Sequence, residues 1–412
     1  MNKALDDLSK QIINDKIDIE ALNEFLEHEE NENNFMINNN GQIIEKKSRI
    51  RMGSEENNDK WLYRIYNKVY KLIIKILEII KNKFFLNDEE KKICGIINIG
   101  NNCYLNAGLQ ILSRCYPLIK VLFSSDYYKK DELINLFVEA MIILIFKKDK
   151  YYNPTKFLEC FCKRNNEFVV GQQNCSQDFI RTILRNINDL YEKKIRYEDY
   201  TPSDLIEKKA YKTYIFENKI FPESKPYSIF SGILKIHLKG KCTNCKEKIN
   251  NYSFSSFVDQ HIYLNSFNTK CKFSDVLKKN IGQENKASMK CPKCKEKIQL
   301  KSISKFVKIP EIFIFTLERF LVRNKVPIEP DEFIYIYDLI DESCSDIKQD
   351  QCYYELFAIN IRKGKDLSFG HEICQIKQKN KWYTIDDEDF YERQREFNEY
   401  SYGLFYRKIQ IE

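Results

Sequence analysis

Two short cysteine motifs constrain the fold of this chain more than any other feature. Cys242 and Cys245 form one CxxC pair, Cys291 and Cys294 form a second, and the residues Lys-Glu-Lys-Ile follow each pair. Each pair can present two thiolates to one tetrahedral Zn²⁺, and four thiolates close a structural site that leaves no position for a reactive water. Because 46 positions separate the two motifs, strands must run out and return between them. The sequence therefore predicts a structural zinc site that braces a β-extension.

The composition is that of an ordinary globular protein, with 43% hydrophobic and 31% charged residues. No run of 18 apolar residues occurs and the first residues lack an apolar signal segment, so we expect neither a membrane-spanning nor a secreted protein. The 14 cysteines are then expected to be reduced, in the cytoplasm or nucleus, and to serve metal or catalytic chemistry. We expect the net charge of +7 to be spread over the surface, and it does not require a nucleic-acid partner.

The chain has a polar N-terminal region and a longer patterned region. Residues 1–58 are rich in Asn, Glu and Asp and are predicted to be mostly disordered. Residues 59–92 are predicted to form a basic amphipathic helix and a linker, and residues 60–85 could pack on the downstream domain or a partner, or lie on an anionic membrane. Helical patterning runs from residue 93 to about 191, and strand patterning runs from about 227 to the end. Helices followed by strands indicate an α+β fold.

The best candidate for a nucleophile is a thiol at a predicted loop-to-helix junction. Residues 95–102 form a turn rich in Gly and Asn, and a helix is predicted to begin near Cys103, where the helix dipole favours a thiolate. Of the four histidines, His371 enters a predicted strand whose hairpin partner ends at Asp386 and Asp387. Such a hairpin places a carboxylate beside the imidazole, as a Cys–His–Asp arrangement requires. From this context alone, Cys103 is equally well interpreted as a small core residue.

These residues resemble the ubiquitin-specific proteases, papain-like cysteine peptidases that remove ubiquitin from proteins. The turn and helix around the thiol are similar to the Cys box of that family, and the predicted hairpin is similar to its His box. The segment before the His box, the closing strand and the two CxxC motifs also occur in the family's order, and the resemblance covers most of the chain. The similar segments are residues 95–112, 309–320, 370–371, 382–387 and 401–406 within 94–406.

The resemblance implies an open-hand architecture for a catalytic domain over residues 93–412. A helical thumb would cover about 93–226, zinc-tipped β fingers about 227–305, and a β palm about 306–412. The domain is expected to be monomeric, to hold structural zinc, and to act on ubiquitin and ubiquitinated proteins.

The resemblance also implies a role for each site residue. Cys103 would attack the carbonyl of the last glycine of ubiquitin and form a thioester, with His371 acting as base and then as acid. Asp386 would orient the imidazole, and the neighbouring Asp387 is the alternative for this role. Asn98 would donate a hydrogen bond to the oxyanion, a contribution of about 3 kcal/mol.

The chain departs from the family pattern at five positions. Asn102 and Ala107 stand where the family usually has Thr and Ser, and Glu372 stands where Tyr usually follows the catalytic His. Cys175 and Asp178 replace an Asp and a Glu that are expected to bind the basic tail of ubiquitin. These departures leave two alternatives to a deubiquitinase: an inactive ubiquitin-binding scaffold and a peptidase for another ubiquitin-like modifier.

Overall fold

The chain divides into two units, residues 1–80 and 81–412. The first unit contains an antiparallel pair of strands, β1 (Phe35–Ile37) and β2 (Ile43–Glu45). The disorder predicted for the remainder of 1–58, and the helix and linker predicted for 59–92, lie outside the described residues. The structure is a computed structural model that describes residues 35–37, 43–45, 93–123, 126–146, 150–191, 224–319, 325–364, 370–395 and 398–410.

The first part of the second unit is mainly helical, as its apolar periodicity predicts. In its last long helix, for example, Phe179, Ile183 and Ile187 recur at helical spacing and are all fully buried. They belong to a hydrophobic core that the surrounding helices share with one side of an eight-stranded sheet, described below. The elements are β3 (Gly95–Ile96), α1 (Cys103–Leu112), α2 (Tyr116–Phe123), α3 (Glu132–Phe146), β4 (Tyr151–Tyr152), α4 (Thr155–Arg164), α5 (Ser176–Tyr191) and α6 (Lys225–Ser228), with a 3₁₀ helix at Asp126–Lys130.

A four-stranded antiparallel sheet, which we call the finger sheet, extends from this core. Its strands are β5 (Gly232–Lys241), β6 (Lys248–Phe257), β9 (Glu284–Lys290) and β10 (Lys297–Lys308), and their spatial order is β6-β5-β10-β9. The two CxxC motifs lie in the two hairpin loops at one end of the sheet, as the predicted out-and-back strands require.

Eight of the remaining strands form a mixed sheet that packs on a second hydrophobic core, and the other two form a separate parallel pair. The path through this sheet is β17-β16-β15-β14-β18-β11-β7, and β13 pairs with β14. Two 3₁₀ helices, at Tyr337–Leu339 and Gln349–Gln351, precede β14. The elements are β7 (Asp259–Tyr263), β8 (Cys271–Lys272), α7 (Phe273–Asn280), β11 (Ile312–Glu318), β12 (Ile328–Glu329), β13 (Phe333–Tyr335), β14 (Tyr353–Gly364), β15 (Gly370–Gln378), β16 (Lys381–Asp386), β17 (Asp389–Glu392) and β18 (Ser401–Lys408).

The α+β prediction is confirmed, because helices dominate before residue 230 and strands dominate after it. Part of the range expected for the fingers, about 227–305, does not belong to the finger sheet. The segment 259–281 leaves the finger sheet: β7 pairs in parallel with β11, and Phe273 and Val276 of α7 are buried in the second core. Among the described residues, no helix is both long and apolar enough to cross a membrane.

Candidate active site

A turn with two residues of positive φ places Cys103 at the start of α1. Gly100 and Asn101 both adopt positive φ, at 118° and 56°, and reverse the chain immediately before the helix. The side chain of Asn102 does not cap the helix; its Oδ1 accepts a hydrogen bond from the backbone N–H of Ile99 at 2.8 Å. Its Nδ2 donates to Asn106 Oδ1 at 2.8 Å, so Asn102 links the turn to the first turn of the helix. Cys103 is 4% exposed.

The predicted hairpin brings His371 and Asp386 together. β15 and β16 pair in antiparallel register, and Lys379 and Asn380 between them have φ values of 50° and 60°, as a two-residue hairpin turn requires. His371 Nε2 lies 2.6 Å from Asp386 Oδ1, and the two side chains are 42% and 41% exposed, so a substrate can reach them.

The thiol and the carboxylate both act on this imidazole. A hydrogen bond with the side chain of Cys103 and a second with Asp386 raise the pKa of His371 to about 9, against the opposing effect of desolvation. Because Nε2 is bound to Asp386, Nδ1 is the nitrogen that remains for the sulfur. The arrangement can therefore hold a protonated imidazole beside a sulfur nucleophile.

The carboxylate of Asp387 lies within 4.8 Å of a ring nitrogen of His371 and of the Asp386 carboxylate, but its hydrogen bonds go to α1 and the turn that precedes it. Its carboxylate accepts hydrogen bonds from Asn98 Nδ2 at 2.6 Å and from Asn106 Nδ2 at 2.8 Å. Burial raises the pKa of Asp387, and these two donors oppose that shift. Gly95 allows the close approach of the two segments, because a Cβ at this position would lie 2.1 Å from the carbonyl oxygen of Glu388.

Asn98 is fixed at three points by these contacts. Its backbone N–H donates to Glu388 Oε1 at 2.7 Å, its Oδ1 accepts from the N–H of Gly100 at 3.0 Å, and its Nδ2 donates to Asp387. The second N–H of this amide has no partner within the described ranges. The amide thus has one donor available for a developing negative charge.

Glu372, which replaces the usual Tyr, belongs to a buried polar network that sequence reasoning missed. Its carboxylate forms an ion pair with Arg362, and both side chains are 1% exposed. It also accepts from the backbone N–H of Ser176, the first residue of α5, at 3.1 Å. Nearby, the N–H of Gly370 donates to Gln173 Oε1 at 2.9 Å. In the sequence, Arg362 within the apolar segment of β14 indicates a buried acidic partner.

The two replacements at the start of α5 have different environments. Cys175 is buried, and burial raises the pKa of its thiol to about 12, so it cannot replace a missing acid. Asp178 is paired with Arg181, which also donates to the buried carboxylate of Asp259 at 2.6 Å. The acid expected to bind a basic tail is therefore already bound to an arginine of the same chain.

The four cysteines of the CxxC motifs converge at the end of the finger sheet. The Cys242–Cys294 and Cys245–Cys291 sulfur pairs are each 3.6 Å apart, and all four sulfurs lie within 4.8 Å of one another. Tetrahedral zinc with bonds of about 2.3 Å requires sulfur separations of roughly 3.8 Å, so the four thiols fit the ion. The backbone N–H of Cys294 lowers the pKa of Cys291 to about 7, which favours a thiolate ligand. Against the lowering effect of the backbone N–H of Glu247, desolvation and the neighbouring thiols raise the pKa of Cys245 to about 11.

Comparison with known proteins identifies a family that this chain resembles along most of its length. Residues 94–406 match the family model described as ubiquitin carboxyl-terminal hydrolase. The chain is 24% identical over 320 residues to ubiquitin carboxyl-terminal hydrolase 12 of Salmo salar, an alignment that covers 75% of this chain and 84% of that protein. It is 23% identical over 334 residues to ubiquitin carboxyl-terminal hydrolase 17-like protein E of Mus musculus, covering 76% of this chain and 55% of that protein. The resemblance inferred from the motifs is confirmed: the chain belongs to the ubiquitin carboxyl-terminal hydrolase family and is a deubiquitinating hydrolase.

Proposed function

We propose that this hydrolase cleaves the bond after the C-terminal glycine of ubiquitin through a thioester on Cys103. The sulfur attacks the glycine carbonyl, and the proton held by His371 passes to the leaving amine as the carbon–nitrogen bond breaks. Water then attacks the thioester, His371 accepts its proton, and the carbon–sulfur bond breaks to release ubiquitin and the thiolate. The observation that carries this proposal is the 2.6 Å contact between His371 and Asp386, on an imidazole whose pKa the side chain of Cys103 also raises.

In this proposal, Asp386 orients the imidazole and Asp387 positions the oxyanion donor. The 2.6 Å contact with His371 supports the first role, and the contact with Asn98 supports the second. The amide of Asn98 would donate its second N–H to the oxyanion of each tetrahedral intermediate.

Replacement of Asp387 by Ala is expected to reduce kcat about 100-fold with little change in KM, because Asn98 loses the acceptor that orients it. Asp387→Asn should lose less activity, since asparagine tolerates the φ of 51° and retains one acceptor oxygen. Steady-state kinetics of Asn98→Ala, Asp387→Ala and the double variant provide the measurement. Additive losses in the double variant would show that the two residues act separately.

The pKa of His371 predicts the alkaline limit of activity. The imidazole keeps its proton until the pH rises through about 9, so kcat/KM should decline near that pH. The raised pKa also stabilises the folded state; this contribution is complete below about 6.5 and is lost as the pH rises through about 9. Asp386→Asn removes a charge that raises the pKa, so its alkaline limit should move toward 6.5.

The pH dependence of kcat/KM for the wild type, Asp386→Asn and Asp389→Asn provides the measurement. Asp389 lies three residues further along the chain, is exposed and has no contact with the imidazole in the described structure. It therefore controls for loss of a nearby surface charge. An alkaline limit that is the same in all three proteins would contradict the assigned role of Asp386.

The proposal includes the open hand and a structural zinc. The helical segment 93–226 would form the thumb, the zinc-braced finger sheet within 227–305 the fingers, and 306–412 the palm, to which 259–281 contributes. Four sulfurs at zinc-binding separations support the ion, which Cys242, Cys245, Cys291 and Cys294 would hold. The 14 free cysteines support action in a reducing compartment, either the cytoplasm or the nucleus.

A second candidate substrate is another ubiquitin-like modifier, and the pairing of Asp178 with Arg181 favours it. Arg181 competes with a basic tail for the carboxylate of Asp178, so selection for such a tail is weaker than the family pattern implies. Suicide probes that carry the tails of different modifiers would decide between the two. Preferential labelling by the ubiquitin probe supports the proposed function, whereas preferential labelling by another modifier supports the alternative.

A further inference from the structure

One segment of the second unit carries a larger net positive charge than the whole chain. Residues 227–305 contain sixteen lysines, no arginine and five acidic residues, a net charge of +11, whereas the whole chain carries +7. The expectation of a spread excess is therefore wrong, because the residues outside this segment are acidic on balance.

The strand register collects nine of these lysines on one face of the finger sheet. Side chains alternate between the faces of a strand, and residues directly opposite each other share a face. Lys241 is opposite Lys248, Lys290 is opposite Lys297, and Lys301 is opposite both Lys239 and Lys286. We call this surface the lysine face; its members are Lys235, Lys239, Lys241, Lys248, Lys286, Lys290, Lys297, Lys301 and Lys305.

At the end of the sheet that holds the CxxC motifs, the reverse face is apolar and lies against the thiols. Ile249, Ile298 and Leu300 are buried there against the cysteine cluster. At this end of the sheet, the lysine face is therefore the side that faces solvent.

Most lysines of the lysine face have no acidic partner in the described part of the chain. Lys235 pairs with Asp341 at 2.7 Å and Lys301 pairs with Glu284 at 2.8 Å. Six others are exposed and have no acidic partner in the described part of the chain: Lys239, Lys241, Lys248, Lys286, Lys290 and Lys297. Like charges directly opposite each other destabilise a sheet, so the opposed lysines lower the stability of the finger sheet.

We propose that the lysine face docks on a membrane surface rich in anionic phospholipids. A four-stranded sheet offers a broad face whose ammonium groups can meet headgroups together, and each lysine near an anionic leaflet strengthens binding about fivefold. The inference is independent of the catalytic mechanism, because it depends only on the register and charge of the finger sheet.

Nucleic acid fits the same face less well. Arginine, the residue that binds phosphate in a bidentate manner and stacks on bases, is absent from the whole segment 227–305. The ring of Tyr252, on the same face, is stacked with His237 at 4.6 Å and lies under the Lys235 ammonium at 4.9 Å, so it is not available to stack on a base.

The opposed lysines allow a test that does not weaken the fold. Lys241→Glu, Lys286→Glu and Lys290→Glu each place an acid opposite a lysine, so the triple variant should be at least as stable as the wild type. The matched control reverses three exposed lysines of the helical part and changes the net charge equally: Lys156→Glu, Lys163→Glu and Lys225→Glu. Residues 60–85 are the same in all three proteins.

Co-sedimentation of the full chain with phosphatidylserine-containing vesicles, and with phosphatidylcholine vesicles alone, tests the proposal. We expect the finger-sheet variant to bind the anionic vesicles at least about 100-fold more weakly, with an unchanged or higher Tm, and the control to bind within about twofold of the wild type. Binding should weaken steeply as salt shortens the Debye length. Equal binding by the two variants would overturn the proposal, as would preferential binding of wild type to single-stranded RNA or duplex DNA at equal phosphate concentration.

Discussion

Replacement of either Cys103 or His371 by alanine is expected to reduce ubiquitin hydrolysis by at least about 10⁴-fold, and the double replacement should cost little more than either single one. The reason is that the two residues act as a unit. Cys103 and Asp386 raise the pKa of the His371 imidazole, which keeps the proton that the leaving amine requires. Without the imidazole the sulfur has no acid or base in the proposed reaction, and without the sulfur the imidazole has no nucleophile. The measurement is kcat for a ubiquitin substrate with a fluorescent leaving group.

The chain offers a matched control for loss of a thiol. Cys160 lies on α4, is partly exposed, and has no role in the proposed reaction, so Cys160→Ala should retain wild-type kcat. Cys103→Ala should still bind ubiquitin. Residual hydrolysis within about tenfold of wild type in the Cys103 variant would contradict the mechanism, and equal ubiquitin binding without any wild-type hydrolysis would indicate the inactive scaffold.

Removal of the metal is expected to unfold the finger sheet. A structural zinc held by four thiolates contributes on the order of 10 kcal/mol in isolated peptides. Besides the cysteines, the buried cluster at the end of this sheet contains Ile249, Ile298 and Leu300. Cys291→Ser or a chelator should therefore abolish amide-exchange protection in β5, β6, β9 and β10. Ubiquitin binding should weaken, while the alkylation rate of Cys103 by a small reagent should change little.

Cys271→Ser is the control, because Cys271 lies between the two CxxC motifs and is remote from the cluster in the described structure. The wild type and this variant should each contain one zinc per chain, and Cys291→Ser should contain none. Full exchange protection of the finger sheet in metal-free wild type would show that zinc does not stabilise the fingers.

Local patterns predicted the parts of the site that depend on short sequence separations. The turn before α1 was evident from its Gly and Asn residues, and the β15–β16 hairpin was evident from alternation on both sides of Lys379-Asn380. The CxxC motifs predicted the cysteine cluster because each motif fixes two ligands within four residues.

Features that depend on long-range packing could not be predicted in this way. Nothing near Asp387 in sequence indicates that it binds Asn98, since 289 positions separate the two residues. The parallel pairing of β7 with β11 removes 259–281 from the fingers, and a parallel partner leaves no turn signal in the sequence. The lysine face likewise requires the register of four strands, because lysines scattered along the chain converge only when the strands pair.

Mapping the attachment site of a ubiquitin-tail suicide probe tests the central claim most directly. The intact protein would be labelled, digested and analysed by peptide mass spectrometry, so that all 14 cysteines compete. The mechanism predicts one adduct per chain, on Cys103, that fails to form in His371→Ala. An adduct on any other cysteine, or none on a folded and zinc-loaded protein, would contradict it.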